Sequence, residues 1–179
     1  MGFLCSSHIC ATPHQRCHRV SGDNLGPMLA AVEYAGKSGR DFLTAMAVAY
    51  QVQCRLSDLA PVCAKGFDHV RQGAYATAAG VSKTLGLDQA ATANAIAIAG
   101  AAFNALRVTR TGALSDWKRL AYVNMASGVV NTTFFAMRGI TGPLEVFEGN
   151  KGFMDRGPFS YRLAGRGYRA CHPHHREKI

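Results

Sequence analysis

Three short stretches of the sequence carry side chains able to do chemistry. "RVTRTGALSDWKRLAYVNMA", residues 107–126, sets Arg107, Arg110 and Lys118 around a turn and a helix start in an otherwise alanine-rich chain. Such cations can hold an anionic substrate, grip a nucleic-acid backbone, or only keep a helix end soluble. "KGFDHV" places Asp68 and His69 directly before a helix, and "SGDNLGP" places Asp23 and Asn24 before another. A histidine at a helix N-terminus feels the positive end of the dipole, which predicts a lowered pKa and a neutral imidazole able to accept a proton. The plainer alternative is that Asp68 caps the helix and His69 is a solvated first-turn residue; chemistry alone favours it.

Composition narrows the classes. The chain has 179 residues, 48% of them apolar, which suits one domain with a true core. No run of about 18 apolar residues occurs, because Asn94, Asn104, Asn124 and Asn131 interrupt the candidates, so no membrane span is expected. The opening "MGFLCSSHICATPHQRCHRV" lacks a basic start ahead of a sustained apolar core, so it does not read as a secretory signal, and a cytoplasmic location is expected. The six cysteines include no C-x2-C pair, which predicts reduced thiols. Cys5, Cys10 and Cys17 alternate with His8, His14 and His18, but at spacings that match no metal site, so none is expected.

The net charge of +9 invites a nucleic-acid reading, yet more than half of it is carried by residues 151–179. Within that segment Arg162, Arg166, Arg169, Arg176 and Lys178 form no helical stripe, and only Tyr161 and Tyr168 could stack on bases. No nucleic-acid partner is expected.

The elements that must position the candidate residues read as helices from residue 25 onward. "NLGPMLAAVEYAGKSG" predicts a helix opening near Pro27 and stopping at Gly36 to Gly39. "RDFLTAMAVAYQVQCRLSDL" repeats Phe42, Met46, Ala49, Tyr50 and Cys54 at three- and four-residue steps, the pattern of one buried face, with Pro61 and Gly66 closing it. "VRQGAYATAAGVSKTLGL" ends at Gly86, and "DQAATANAIAIAGAAFNAL" starts from a capping Asp88. Faces of alanine and glycine on these two helices predict close helix-on-helix packing. A fifth helix, "SDWKRLAYVNMASGVVNTTFFAMRG", has Ser115 or Asp116 as its cap and Gly139 just past its end, and "ITGPLEVFEGNKGFMD" after it reads as a turn-rich connection holding at most a short helix around Leu144 to Glu148. No period-2 strand pattern of useful length appears, so the fold class is all-α, a helical bundle. Residues 1–22 read as an irregular N-terminal segment, 23–153 as the helical domain, and 154–179 as a basic, disordered tail.

The run "GFDHVRQGAYATAAGVSKTLGLDQAATANAIAIAG", followed by "LRVTRTGALSDWKRLA" and "AMRGITGPLEVFEGNKGF", resembles the MmgE/PrpD family, which includes 2-methylcitrate dehydratases and cis-aconitate decarboxylases. With "DNLGPMLAAVEYA" the resemblance spans residues 23–153, several separate motifs in one order. It implies part of a large helical domain, usually dimeric in the family and accompanied there by a smaller α/β domain. It also implies a small tricarboxylate or dicarboxylate substrate and a hydro-lyase, decarboxylase or epimerase reaction that uses no metal or other cofactor.

Carried over by position, the family's pocket histidine falls on His69, its pocket lysine on Lys118, and the arginine of its "LR" segment on Arg107, with Arg110 as a neighbour. A further catalytic histidine belongs to an "HPSDNLG"-like motif. Here the text is "HRVSGDNLG", in which His18 stands two residues farther from the glycine and the proline is absent. The implied roles are carboxylate contact by Lys118 and Arg107, proton transfer by His69, and a second acid or base in His18. Lys118 in a first helical turn opposes the helix dipole, a small cost that a ligand anion explains better than stability does. The resemblance stops near residue 22 and after "GPF" at residue 159, which leads to the expectation of a truncated or frame-shifted coding sequence. A non-catalytic helical fragment is therefore the second reading beside a 2-methylcitrate dehydratase-like hydro-lyase.

Overall fold

A computed structural model of the chain describes residues 22–60 and 62–154. Five helices run in order: α1 (Leu25–Tyr34), α2 (Gly39–Leu59), α3 (Val70–Leu85), α4 (Gln89–Ala102) and α5 (Trp117–Met137). Two 3-10 turns, Val62–Lys65 and Arg107–Arg110, precede α3 and α5. The all-α expectation holds: among the described residues the only β pairing is an isolated antiparallel bridge between Phe67 and Leu106.

The expected punctuation sets the helix ends. Asp88 accepts the Ala91 N–H at 2.8 Å, so it caps α4 as its position suggests. Ser38 and Asp41 exchange side-chain and backbone bonds in a capping box at the start of α2. Gly86 ends α3 at φ 72° and Gly139 follows α5 at φ 87°, left-handed conformations that favour glycine.

Helix α3 is the axis of the bundle and packs against α1, α2, α4 and α5. Every residue from Val70 to Ser82 is buried. Helices can crowd it on all sides because its surface is mostly alanine, glycine and other small residues. A Cβ at Gly73 would stand 2.6 Å from Cε2 of Tyr122, so glycine there is what lets α5 lay its tyrosine ring against α3.

The core divides into three clusters. Val70, Ala74, Ala99, Tyr122, Met125 and Val129 join α3, α4 and α5. Met28, Ala31, Ala45, Ala49, Ala76 and Val81 join α1, α2 and α3. On α2 the buried face is Ala45, Ala49, Gln53 and Leu56, which shares only Ala49 with the expected face of Phe42, Met46, Ala49, Tyr50 and Cys54. Alanine lets the helix axes approach closely, while Phe42, Met46, Tyr50 and Cys54 sit at the flanks, partly buried.

The third cluster sets Leu56, Val62 and Tyr75 against Phe153. The Tyr75 ring lies 4.8 Å from Phe147 and 5.2 Å from Phe153 between centroids, and the Arg71 guanidinium covers Phe153 at 4.6 Å. These anchors hold the expected turn-rich connection, which is a series of turns with no helix at Leu144 to Glu148. Backbone bonds from Phe153 to Val146 and from Met154 to Phe147 fold it back on itself.

The N-terminal segment before Gly22, including His18, and the tail after Met154 lie outside the described residues. No described helix is long and apolar enough to cross a membrane.

Candidate acid–base and anion site

Four segments distant in sequence converge at one end of α3. The Asp68 N–H donates to the Ala105 carbonyl at 2.9 Å and the Arg107 N–H to the Gly66 carbonyl at 2.8 Å, on either side of the Phe67–Leu106 bridge. This short ladder ties the 3-10 turn of residues 107–110 to the segment that carries Asp68 and His69. The Gly22–Asn24 turn, closed by the Leu25 N–H to Gly22 carbonyl bond at 3.0 Å, brings Asp23 in from the start of α1. The first turns of α5 complete the group.

Asp68 is fully buried and serves three partners. It accepts from Nε of Arg110 at 2.5 Å, accepts the Val70 N–H at 3.3 Å, and lies 2.5 Å from Nδ1 of His69. The His69 contact lies off the N–H axis, so it acts as charge pairing more than as a directed hydrogen bond. Burial alone would raise the Asp68 pKa; the His69 and Arg110 cations outweigh it and hold the carboxyl at about 2.

His69 is only 7% exposed. Its Nε2 meets Oδ2 of Asp23 at 3.2 Å, and its ring is stacked near that of Tyr122, with 6.4 Å between centroids. Burial opposes protonation, but hydrogen bonding to Asp23 and the Asp68 charge prevail and raise its pKa to about 9. Two expectations are corrected here. His69 is not a solvated residue, and it is not held neutral by the helix dipole. That dipole amounts to about half a charge, whereas two whole carboxylate charges stand against the ring.

Arg110 is likewise more than a solvated turn residue: its Nε is committed to Asp68. Arg107, at the other end of the same turn, is partly buried. Lys118, the second residue of α5, is partly buried and its ammonium has no ion pair or hydrogen bond among the described residues. It stands one helical turn before Tyr122, and residues four apart on a helix share a face about 6 Å apart. Lys118 therefore shares a face of α5 with Tyr122, whose ring lies near His69.

The structure therefore joins His69 and Arg110 directly through Asp68 and Arg107 through the backbone ladder, while Lys118 has no ion pair or hydrogen bond to them among the described residues and shares only its helix face with Tyr122. Asp23, marked in the sequence only by its place before α1, and Tyr122, not marked at all, also belong to the cluster. The helical period would have found Tyr122, since Lys118, Tyr122, Met125 and Val129 follow one stripe of α5. No sequence signal pairs Asp23 with His69. Among the described residues, no group of three or more His, Cys, Asp or Glu side chains could hold a metal ion.

Compared with known families, the chain matches the MmgE/PrpD N-terminal domain over residues 14–157.

Proposed function

The chain belongs to the MmgE/PrpD family, and from that premise we propose that the Asp23–His69–Asp68–Arg110 cluster is the acid and anion-binding part of a hydro-lyase site for small tricarboxylates, of the 2-methylcitrate dehydratase kind. The observation that carries the reading is a buried histidine held between two carboxylates, with three cationic side chains on the adjoining turn and helix start.

In a dehydration a base takes a proton from the carbon next to a carboxylate, a C=C bond forms, and hydroxide departs. Hydroxide is a poor leaving group unless it is protonated as the C–O bond breaks. An imidazolium supplies that proton. His69 is suited to the acid role because its carboxylate neighbours keep it charged at neutral pH. Its Nε2 proton is bonded to Asp23, whose side chain is 35% exposed, so a substrate hydroxyl would enter on this side and displace that bond to take the proton. Asp68, locked by Arg110, fixes the other side of the ring and stabilises its charge.

Lys118 and Arg107 would meet the substrate carboxylates. A lysine ammonium beside the carboxylate that flanks the reacting carbon also stabilises the negative charge that develops as the proton leaves. Arginine contributes a planar fork that accepts a carboxylate through two parallel bonds. The base is a separate group; His18, the candidate from sequence, lies outside the described residues.

The test is an assay of the purified chain with 2-methylcitrate and cis-aconitate, beside His69→Gln and Lys118→Ala. Turnover of 2-methylcitrate abolished by both substitutions supports the dehydratase reading, and carbon dioxide release from cis-aconitate redirects it to a decarboxylase. A folded chain that turns over neither substrate favours a non-catalytic helical unit.

A further inference from the structure

We propose that Tyr122 is a positioning residue for the acid of this site: its hydroxyl, acting through Asn24, fixes the turn that holds Asp23 against His69. The inference rests on the reading of His69 as the acid and extends it to a residue 53 positions away that need not touch substrate.

Three buried side chains from three elements form a chain of bonds. The Tyr122 hydroxyl on α5 donates to Oδ1 of Asn24 at 2.7 Å. Nδ2 of Asn24 then donates to Oε1 of Gln53 on α2 at 2.6 Å. Asn24 and Gln53 are fully buried and Tyr122 is nearly so.

Asn24 occupies the N-cap position of α1, where an asparagine ordinarily bonds its own helix, yet its side chain makes no cap bond. Both ends of its amide are directed inward instead. Asp23 is the preceding residue of the same closed turn, so clamping Asn24 sets where the Asp23 carboxylate stands.

Tyr122 also contacts the other half of the pair. Its ring is stacked near His69, and it fits against the bare backbone of Gly73, one turn into α3. One side chain therefore spans the helix that carries the acid and the turn that carries its carboxylate. The charged and titratable groups that face His69 are Asp23, Asp68, Arg110 and Tyr122 itself. Loss of the hydroxyl leaves Asn24 with a buried unmet acceptor, so the turn must shift to satisfy it.

The test follows the His69 ring by NMR across a pH titration of the full chain, with His69→Gln used to assign its resonances. Tyr122→Phe keeps the ring and removes the bond; its expected effect is a fall of about one unit in the His69 midpoint as Asp23 is released. Gln53→Met frees Asn24 from its other side and is expected to lower the midpoint as well, which keeps the test open if Tyr122→Phe fails to fold. Tyr75→Phe removes a hydroxyl of similar burial on the far side of α3 and is expected to leave the midpoint in place.

An elevated wild-type midpoint that neither Tyr122→Phe nor Gln53→Met moves overturns the positioning role alone. An equal fall in Tyr75→Phe overturns it too, by showing general loosening. A wild-type His69 that titrates at an ordinary value sinks the acid reading together with this one.

Discussion

Asp23 and His69 stand 46 positions apart, and their side chains meet at 3.2 Å between Oδ2 and Nε2. The contact joins the turn before α1 to the turn before α3, and it changes the chemistry of the histidine. With Asp68 alone the ring would balance one carboxylate against burial and the Arg110 cation. With Asp23 as well the balance tips, and His69 stays protonated through neutral pH.

That balance predicts how stability depends on pH. The folded pKa of His69, about 9, lies above its ordinary value of 6.5. Its contribution is fully present below pH 6.5 and is lost as pH rises through 9. Urea unfolding at pH 6.5 and at pH 9.5 is expected to differ by on the order of 2 kcal/mol. His69→Gln should flatten that difference. Asp68 acts in the opposite sense: with its pKa depressed from 3.8 to about 2, its contribution is lost as pH falls through that range.

Asp68 is the junction of the cluster, so its removal should be costly. Asp68→Asn leaves the Arg110 guanidinium and the His69 ring without their shared counter-charge at a fully buried position. The expected loss is about 3 kcal/mol, the range for breaking a buried ion pair from one side. Arg110→Met should cost less, since Arg110 is partly exposed and His69 still faces the carboxylate. Combining the two substitutions in a double-mutant cycle should give a total well below the sum of the singles. Full additivity would mean that Asp68 and Arg110 do not act as a pair.

Gly73→Ala should destabilise the chain although alanine is the better helix former. Glycine to alanine in a helix normally gains about 1 kcal/mol. Here the new methyl would stand 2.6 Å from Cε2 of Tyr122 and drive the ring away from α3. The net cost expected in thermal or urea unfolding is about 1 to 3 kcal/mol, as for an overpacked core. Tyr122→Leu, which removes that ring edge, should reduce the penalty of Gly73→Ala when the two are combined.

Local structure was readable from the sequence because its causes are local. Asp88 before a polar-to-apolar run, Gly86 and Gly139 at helix ends, and the small residues of α3 each act within a few positions. The identity of the family followed from several such stretches in order. The place of His69 before α3 is legible in the sequence, but its charge state is not, and comes out opposite to the expectation. The helix dipole is a near-neighbour effect visible in sequence, whereas the Asp23 carboxylate arrives only through the tertiary fold. On α2 the helical period points to Ala49 correctly, but close packing against α3 buries Ala45 and Gln53 with it rather than the larger Met46 and Tyr50. The turn-rich texture of residues 144–154 is legible too, but not their anchoring on Tyr75 and Arg71 in the first half of α3.

Lys118 offers the cleanest separation of function from stability. It is partly buried in the first turn of α5, where a cation opposes the helix dipole, and no described side chain pairs with its ammonium. Nothing in the fold therefore depends on the charge, and Lys118→Ala should change unfolding free energy by no more than about 0.5 kcal/mol. If the ammonium contacts a substrate carboxylate and stabilises the charge that develops next to it, the same substitution should lower kcat/KM for 2-methylcitrate by about 100-fold. Lys118→Arg restores charge but not the compact ammonium, so a small recovery in KM with little recovery in kcat is the expected pattern. A Lys118→Ala chain that is as active as the wild type would remove the residue from the site. A loss of activity matched by a loss of stability would instead assign it a structural role.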